Sequence, residues 1–160
     1  MATKVSYIPR GASVISPYLV VRRAGEMLDF YKKVFGATET TRLIQPDGRI
    51  GHAEITIGGA TVMLADEFPE RGIVSPLTLG PARSPVGIHV YVEDVDTAYQ
   101  RALAAGATSL REPADQFYGD RNAQVTDPSG HLWDISTHIE DVSPEEMQKR
   151  LAAMTKQENG

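Results

Sequence analysis

The sequence contains no cysteine. That excludes disulfide staples, thiolate metal sites and cysteine nucleophiles, and it fits a cytoplasmic chain. No apolar run approaches the roughly 20 residues that a membrane helix requires, so no membrane partner is expected. Basic residues are in deficit: 16 Lys and Arg stand against 21 Asp and Glu, a formal net charge of −5. Non-specific grip on nucleic acid needs a basic face, so nucleic acid is not expected as a partner either. The acidity would mildly favour a cationic ligand, although a solvated surface is the simpler reading. The start, Met1 to Ser13, carries Lys4 and Arg10 without an apolar centre, and does not read as a signal peptide. Also missing are a phosphate-binding glycine loop, a nucleophile elbow and a dinucleotide fingerprint.

What is present is an internal repeat. Tyr18-Leu19-Val20-Val21 precedes a helical stretch, Arg23 to Phe35, which stops at Gly36-Ala37-Thr38. His89-Val90-Tyr91-Val92 precedes another, Asp94 to Ala105, which stops at Gly106-Ala107-Thr108. The same 70-residue offset relates His52-Ala53-Glu54-Ile55-Thr56 to Asn122-Ala123-Gln124-Val125-Thr126. Gly58-Gly59 and Asp127-Pro128-Ser129-Gly130 then turn into final strands, Thr61 to Asp66 and Leu132 to Thr137. Each half reads βαβββ, and a period of this kind marks a duplicated structural unit. The length of 160 residues suits one domain built of two such modules, 14–66 and 86–138, joined by a linker at 67–85.

Local chemistry supports the elements. Leu28, Tyr31 and Phe35 share one helical face, as do Val95, Tyr99 and Ala102. Asp94 caps the second helix, with Thr97 three residues on, and Gly36 and Gly106 suit the left-handed residue that ends a helix. Asp47-Gly48 is a hairpin turn signal. The linker holds Pro69, Pro76, Pro81 and Pro85 and reads as a crossover, with a lid as the second reading. A closing helix at 143–155 starts with Ser143 as cap, Pro144 in the first helical position and Glu146 completing a capping box. Its stripe of Met147, Leu151 and Met154 is expected to dock on its own domain or on a partner subunit. In the fifth strand, Ile88, Val90 and Val92 make one face and leave Gly87, His89 and Tyr91 on the other. If helices cover the aliphatic face, His89 and Tyr91 look out from an open one, which is how a sheet builds a ligand cavity.

Taken together, these modules resemble the vicinal oxygen chelate superfamily, which includes glyoxalase I, extradiol dioxygenases, fosfomycin-resistance enzymes and bleomycin-binding proteins. The motifs are more specifically similar to its PhnB-like branch. Those that carry the likeness include Phe30-Tyr31-Lys32-Lys33-Val34-Phe35-Gly36-Ala37, Asp47-Gly48-Arg49-Ile50-Gly51-His52-Ala53-Glu54 and Met63-Leu64-Ala65-Asp66-Glu67-Phe68-Pro69. Gln116-Phe117-Tyr118-Gly119-Asp120-Arg121 and Asp127-Pro128-Ser129-Gly130-His131-Leu132-Trp133 add to them. The resemblance covers nearly the whole chain. It implies an α+β fold in which two βαβββ modules form a curved, cupped mixed sheet with a C-terminal helix. It also implies a small-molecule cavity and a homodimer.

The superfamily's metalloenzymes draw one ligand from the first and last strand of each module, which falls here on Ser16, Met63, Gly87 and Asp134. Only Asp134 is a suitable donor; a one-residue slip would bring Leu64, which is no better. No cofactor is therefore expected. A rearranged divalent site would have to use His52, Glu54, His89 and Asp134. For chemistry, His89 and Glu54 are the candidate acid–base pair. Tyr18, His52, His89, Tyr91, Tyr118, Arg121 and Asp134 are the candidate ligand-binding residues, with Arg121 suited to a carboxylate or phosphoryl group or else paired in its turn with Asp120 or Asp127. Trp133 has the parity opposite to Asp134 and reads as core. Three functions stay open: a metal-independent small-molecule-binding protein, a lyase, isomerase or conjugating enzyme acting on a small oxygenated metabolite, and a non-catalytic assembly module.

Overall fold

A computed structural model describes residues 6–80 and 84–158, with backbone alone for 155–158. Lys4 and Pro81 lie outside the described residues. The chain divides into two compact units, one of residues up to 83 together with 128–130, the other of 84–127 with 131 onward.

The first unit runs β1 (Tyr18–Val21), α1 (Ala24–Phe35), β2 (Thr38–Ile44), β3 (Ile50–Ile57) and β4 (Ala60–Asp66). Its sheet has the order β1-β4-β3-β2, with β1 parallel to β4 and the other pairs antiparallel. Alternation along the strands sorts the side chains. Leu19, Val21, Ala53, Ile55, Val62 and Leu64 are buried, as are Met27, Leu28, Tyr31 and Val34 of α1. Apolar faces of this kind are what a helix and a sheet bury together. Asp66 fixes the entry to α1. Its buried carboxylate accepts the Ala24 N–H and the Ile50 N–H, each at 2.7 Å. Arg23, just before the helix, holds a left-handed φ of 51°, and Gly36 ends the helix at φ 64° as expected.

The described part of the linker is folded onto this first unit. A 3-10 turn at Pro69–Arg71 leads to a short α2 (Pro76–Leu79). Glu67 ties the segment down: its carboxylate accepts from Arg22 Nε at 3.0 Å, the Ser75 N–H at 2.9 Å and the Thr78 hydroxyl at 2.7 Å. The turn 128–130 belongs to this unit as well. Ser129 Oγ accepts the Arg22 N–H at 3.0 Å, and its carbonyl accepts the Leu77 N–H at 3.0 Å.

The second unit repeats the plan with β5 (Gly87–Tyr91), α3 (Val95–Ala104), β6 (Thr108–Asp115), β7 (Asp120–Thr126) and β8 (Leu132–His138), in the order β5-β8-β7-β6. The two βαβββ modules are thus as expected, and each carries a four-stranded mixed sheet of its own. Asp94 caps α3, accepting the Thr97 N–H at 3.1 Å, and Gly106 follows the helix at φ 101°. Trp133 is core at 1 % exposure, its indole N–H donating to Asp127 Oδ2 at 3.0 Å. Here Thr137 takes the place of Asp66: its hydroxyl accepts the Val95 N–H at 2.9 Å.

The tail forms α4 (Pro144–Glu158). Ser143 Oγ accepts the Glu146 N–H at 3.2 Å, which is the serine half of the expected box, while the Glu146 carboxylate turns to Arg150 at 3.1 Å. Arg150 also reaches the Phe117 carbonyl and the Glu140 carboxylate, so an arginine fastens the helix. Leu151 and Met154 of the expected docking stripe remain 42 % and 45 % exposed.

Candidate functional site

In each unit the sheet face away from the helix carries the candidate residues, Arg121 excepted. On the first unit, the register aligns Tyr18, Met63, Glu54 and Thr41 across β1, β4, β3 and β2. His52 lies two residues from Glu54 and shares its face, as read from the strand period. The side chains form a chain: Tyr18 Oη lies 3.1 Å from His52 Nδ1, and His52 Nε2 lies 3.1 Å from Glu54 Oε1. With the Glu54 carboxylate as acceptor, Nε2 carries the ring proton and Nδ1 is left to accept from the Tyr18 hydroxyl. This is a carboxylate–imidazole–phenol relay, in which the imidazole is oriented to take a proton from the phenol.

On the second unit the equivalent row is His89, Asp134, Gln124 and Arg111 across β5, β8, β7 and β6. Gln124 Nε2 donates to Asp134 Oδ1 at 2.6 Å. The next row brings Tyr91, Ser136 and Asn122 into register. Ser136 and Asn122 are buried at 0 % and 1 % exposure, and Asn122 Nδ2 donates to Ser136 Oγ at 2.7 Å. Arg111 Nη2 in turn donates to Asn122 Oδ1. The rings of His89 and Tyr91 meet edge to face with centroids 4.8 Å apart. Tyr91 donates its hydroxyl to buried Asp120 at 2.9 Å, and that bond raises its pKa. Tyr118 reaches toward the same face. Burial pushes its pKa up, Arg111 opposes that, and Asp120 and Asp134 add to it. His138 ends the face with both ring nitrogens engaged, by Asp120 at 2.8 Å and by Asp141 at 3.0 Å; these carboxylates raise its pKa.

The candidates therefore sort by unit. Tyr18, His52 and Glu54 come together on the first, while His89, Tyr91, Tyr118 and Asp134 share a face of the second. Glu54 takes His52 as its partner. Arg121 is a correction. It stands on the helix side of its sheet, where its guanidinium grips Asp96 of α3 through Nε at 2.7 Å and Nη2 at 2.9 Å, and Asp115 through Nη1 at 2.9 Å. Its partners are thus neither Asp120 nor Asp127, and both edges of the fork are taken. Arg111, Asn122, Gln124 and Ser136 were not among the expected site residues. The repeat offers a signal for two of them, since Asn122 and Gln124 occupy the positions of His52 and Glu54 at the 70-residue offset. Arg111 escapes such a reading because β6 shifts register on both sides of it.

The superfamily's sequence profile, that of the glyoxalase/bleomycin resistance protein/dioxygenase superfamily, matches residues 13–135. The chain belongs to this superfamily. Among its relatives is an uncharacterised protein of Mycobacterium tuberculosis (strain ATCC 25618 / H37Rv), 44 % identical over 149 residues, covering 91 % of this chain and 85 % of that one. Among solved structures, TioX from Micromonospora sp. ML1 is 29 % identical with a TM-score of 0.58, covering 80 % of this chain and all of its own. FosX from Listeria monocytogenes, a fosfomycin resistance protein solved with Mn(II) and sulfate, is 19 % identical with a TM-score of 0.61 over 87 % of this chain and 97 % of its own, a likeness of fold alone.

The metal that occurs in the superfamily does not fit the donors at the resemblance's positions in this chain. Ser16 offers a neutral hydroxyl whose oxygen is buried and, among the described residues, has no hydrogen-bond partner. Met63 offers a thioether and Gly87 nothing. Asp134 is a good donor, but Gln124 already occupies Oδ1. A hard divalent cation needs several oxygen or imidazole ligands together. The alternative Leu64 is fully buried in the apolar core. Among the described residues, no three His, Asp or Glu side chains are grouped to hold a metal ion, and no helix is long and apolar enough to cross a membrane.

Proposed function

We propose that the chain binds a small organic molecule on the open face of its second unit, without the metal found elsewhere in the superfamily. The observation that carries this reading is the side-chain lattice on that face. His89, Asp134, Gln124 and Arg111 lie in one row and Tyr91, Ser136 and Asn122 in the next. A face meant only for solvent has no need of buried amide and hydroxyl groups, and a face meant only for packing would be apolar. Aromatic rings beside a few oriented polar groups are the usual lining of a ligand site. The same reading takes the protein as a cytoplasmic homodimer that sequesters or carries its ligand, in line with the absence of cysteine and with the family resemblance.

A thermal-shift panel of small aromatic, acidic and cationic compounds tests it. A ligand at about 100 times its Kd stabilises by roughly 2.7 kcal/mol, several degrees in a domain of this size. A panel in which nothing moves the melting temperature, and no compound perturbs the amides of β5 to β8, overturns the reading.

A second reading has its own observation. The Tyr18–His52–Glu54 relay can draw a proton from a phenol, and a tyrosinate so formed would act as general base on an oxygenated metabolite. Once a reaction is found, Tyr18→Phe would then lower kcat by about 10²–10⁴-fold. Unchanged turnover would confine the relay to structure.

A further inference from the structure

Six arginines of this chain are matched to carboxylates. Arg22 pairs with Glu67, Arg23 with Glu26, Arg42 with Glu39, Arg49 with Asp47 and Glu70, Arg121 with Asp96 and Asp115, and Arg150 with Glu140 and Glu146. Arg111 differs. It is exposed on the open face of the second unit, and its side-chain partner is the carbonyl oxygen of Asn122. An amide oxygen supplies no negative charge and can satisfy only part of a fork with five N–H donors.

The partner itself is held. Asn122 is 1 % exposed, and its NH₂ group is committed to Ser136 Oγ, which turns its carbonyl toward Arg111. A buried amide–hydroxyl pair costs stability relative to an aliphatic pair unless its bonds are made. The first unit makes no comparable arrangement. There the positions of Asn122, Ser136 and Arg111 are held by His52, Ala65 and Thr41. What the second unit obtains from the pair is a guanidinium of fixed direction that, among the described residues, has an amide oxygen and no carboxylate as its hydrogen-bond partner.

We propose that Arg111 is the oxyanion anchor of the second unit's open face, and that the ligand there is a singly charged organic acid. This rests on the reading that the same face binds a small molecule, and adds its class. The neighbouring charges decide the valence. Asp134 stands in the same row as Arg111, and Asp120 lies two residues before Asn122 on β7 and shares its face, so the anion site has carboxylates on its own face. A second negative charge on the ligand meets repulsion that one carboxylate group avoids. Asp134, two strands from Arg111 in the same row, asks for a hydrogen-bond donor on the ligand, a hydroxyl or an ammonium. Strands are spaced by about 4.8 Å, so the two anchors stand roughly 10 Å apart at the backbone. The rings of Tyr118, His89 and Tyr91 leave an aromatic or planar body as the natural link between them.

The test compares 4-hydroxyphenylacetate with its neutral amide, 4-hydroxyphenylacetamide, by amide-resolved NMR titration of the full chain, with inorganic phosphate as the multiply charged control. Arg111 is exposed, so Arg111→Gln is expected to keep the fold, which an amide spectrum changed only around β6, β7 and β8 verifies. The acid is expected to bind about ten- to a hundredfold more tightly than the amide, the scale of hydrogen bonds to a charged group. That preference disappears in Arg111→Gln and survives in part in Arg111→Lys, and phosphate binds more weakly than the acid. If acid and amide bind equally well, or Arg111→Gln keeps the preference, the oxyanion anchor is overturned while small-molecule binding stands. If neither probe binds at about 10 mM, where a millimolar complex is nearly saturated, the assignment of this acid class falls. The wider panel described above then decides separately whether the face binds anything.

Discussion

The open faces of the two units use one scaffold for opposite ends. Aligned on their turn glycines, Tyr18 corresponds to His89, Met63 to Asp134, Glu54 to Gln124 and Thr41 to Arg111. The first face places a thioether in the centre of its row and closes its polar groups on one another, tyrosine to histidine to glutamate. The second places a carboxylate in the same slot and ends its row in a guanidinium held by an uncharged amide. Register and helix packing are shared, so they set where these side chains stand and not what they do. The proposed ligand site falls on the half whose polar groups are not closed on one another, and the fold shared by both halves does not decide that.

Substitutions at matched positions would sharpen or break this contrast. The largest difference is expected in the cores, where Trp133 and Val62 correspond. Trp133→Ala should cost about 3–5 kcal/mol, and Val62→Ala about 1.5–3 kcal/mol, read from denaturant unfolding. Equal costs would show that the second core is not centred on its tryptophan. The helix entries come next. Asp66→Ala strands two buried N–H groups, those of Ala24 and Ile50, and should cost about 3 kcal/mol, whereas Thr137→Val frees one N–H, that of Val95, and the hydroxyl's bond to the Val92 carbonyl, and should cost about 1–2 kcal/mol. A reversed order in the same unfolding experiment would contradict the equivalence of the two caps.

The smallest effects follow pH, and they separate the units. In the first, hydrogen bonds from Arg42 and then Lys32 hold Glu39 down from an ordinary 4.5 to about 2. Its contribution is complete above 4.5 and drains away as pH falls toward 2. In the second, bonds to Asp120 and then Asp141 hold His138 above its ordinary 6.5. Its contribution is complete below 6.5 and is lost as pH rises through the raised value. Amide exchange should therefore find acid loosening the strands near Glu39 and mild alkali loosening those near His138. Glu39→Gln and His138→Gln should each flatten the response of its own unit alone.

Much of this architecture was legible in the chain. The 70-residue offset, the alternation in β5 and the caps at Asp94 and Ser143 are local signals, and each has its counterpart in the structure. The parity argument that set Trp133 against Asp134 needed only the strand period. Arg121 misled because a turn arginine next to an aromatic resembles a ligand anchor, and nothing local reveals that Asp96, 25 residues earlier, already holds it. Arg111 was hidden for the complementary reason. Irregular pairing in β6 breaks the alternation that would have assigned it a face. Pairings across strands decide both cases, and such pairings leave no mark at short sequence range.

The turn at 128–130 has a consequence for divisibility. Sequence order places it between β7 and β8, yet Ser129 satisfies the Arg22 N–H, and Gly130 leaves so little room that a Cβ there would lie 2.9 Å from the Leu77 nitrogen. A gene cut at the linker would hand the first half an open backbone donor and the second half a hairpin made to fit elsewhere. The repeat is still visible in the sequence, yet each copy expressed alone is expected to be less stable than in the intact chain, because the turn of one copy completes the hydrogen bonding of the other.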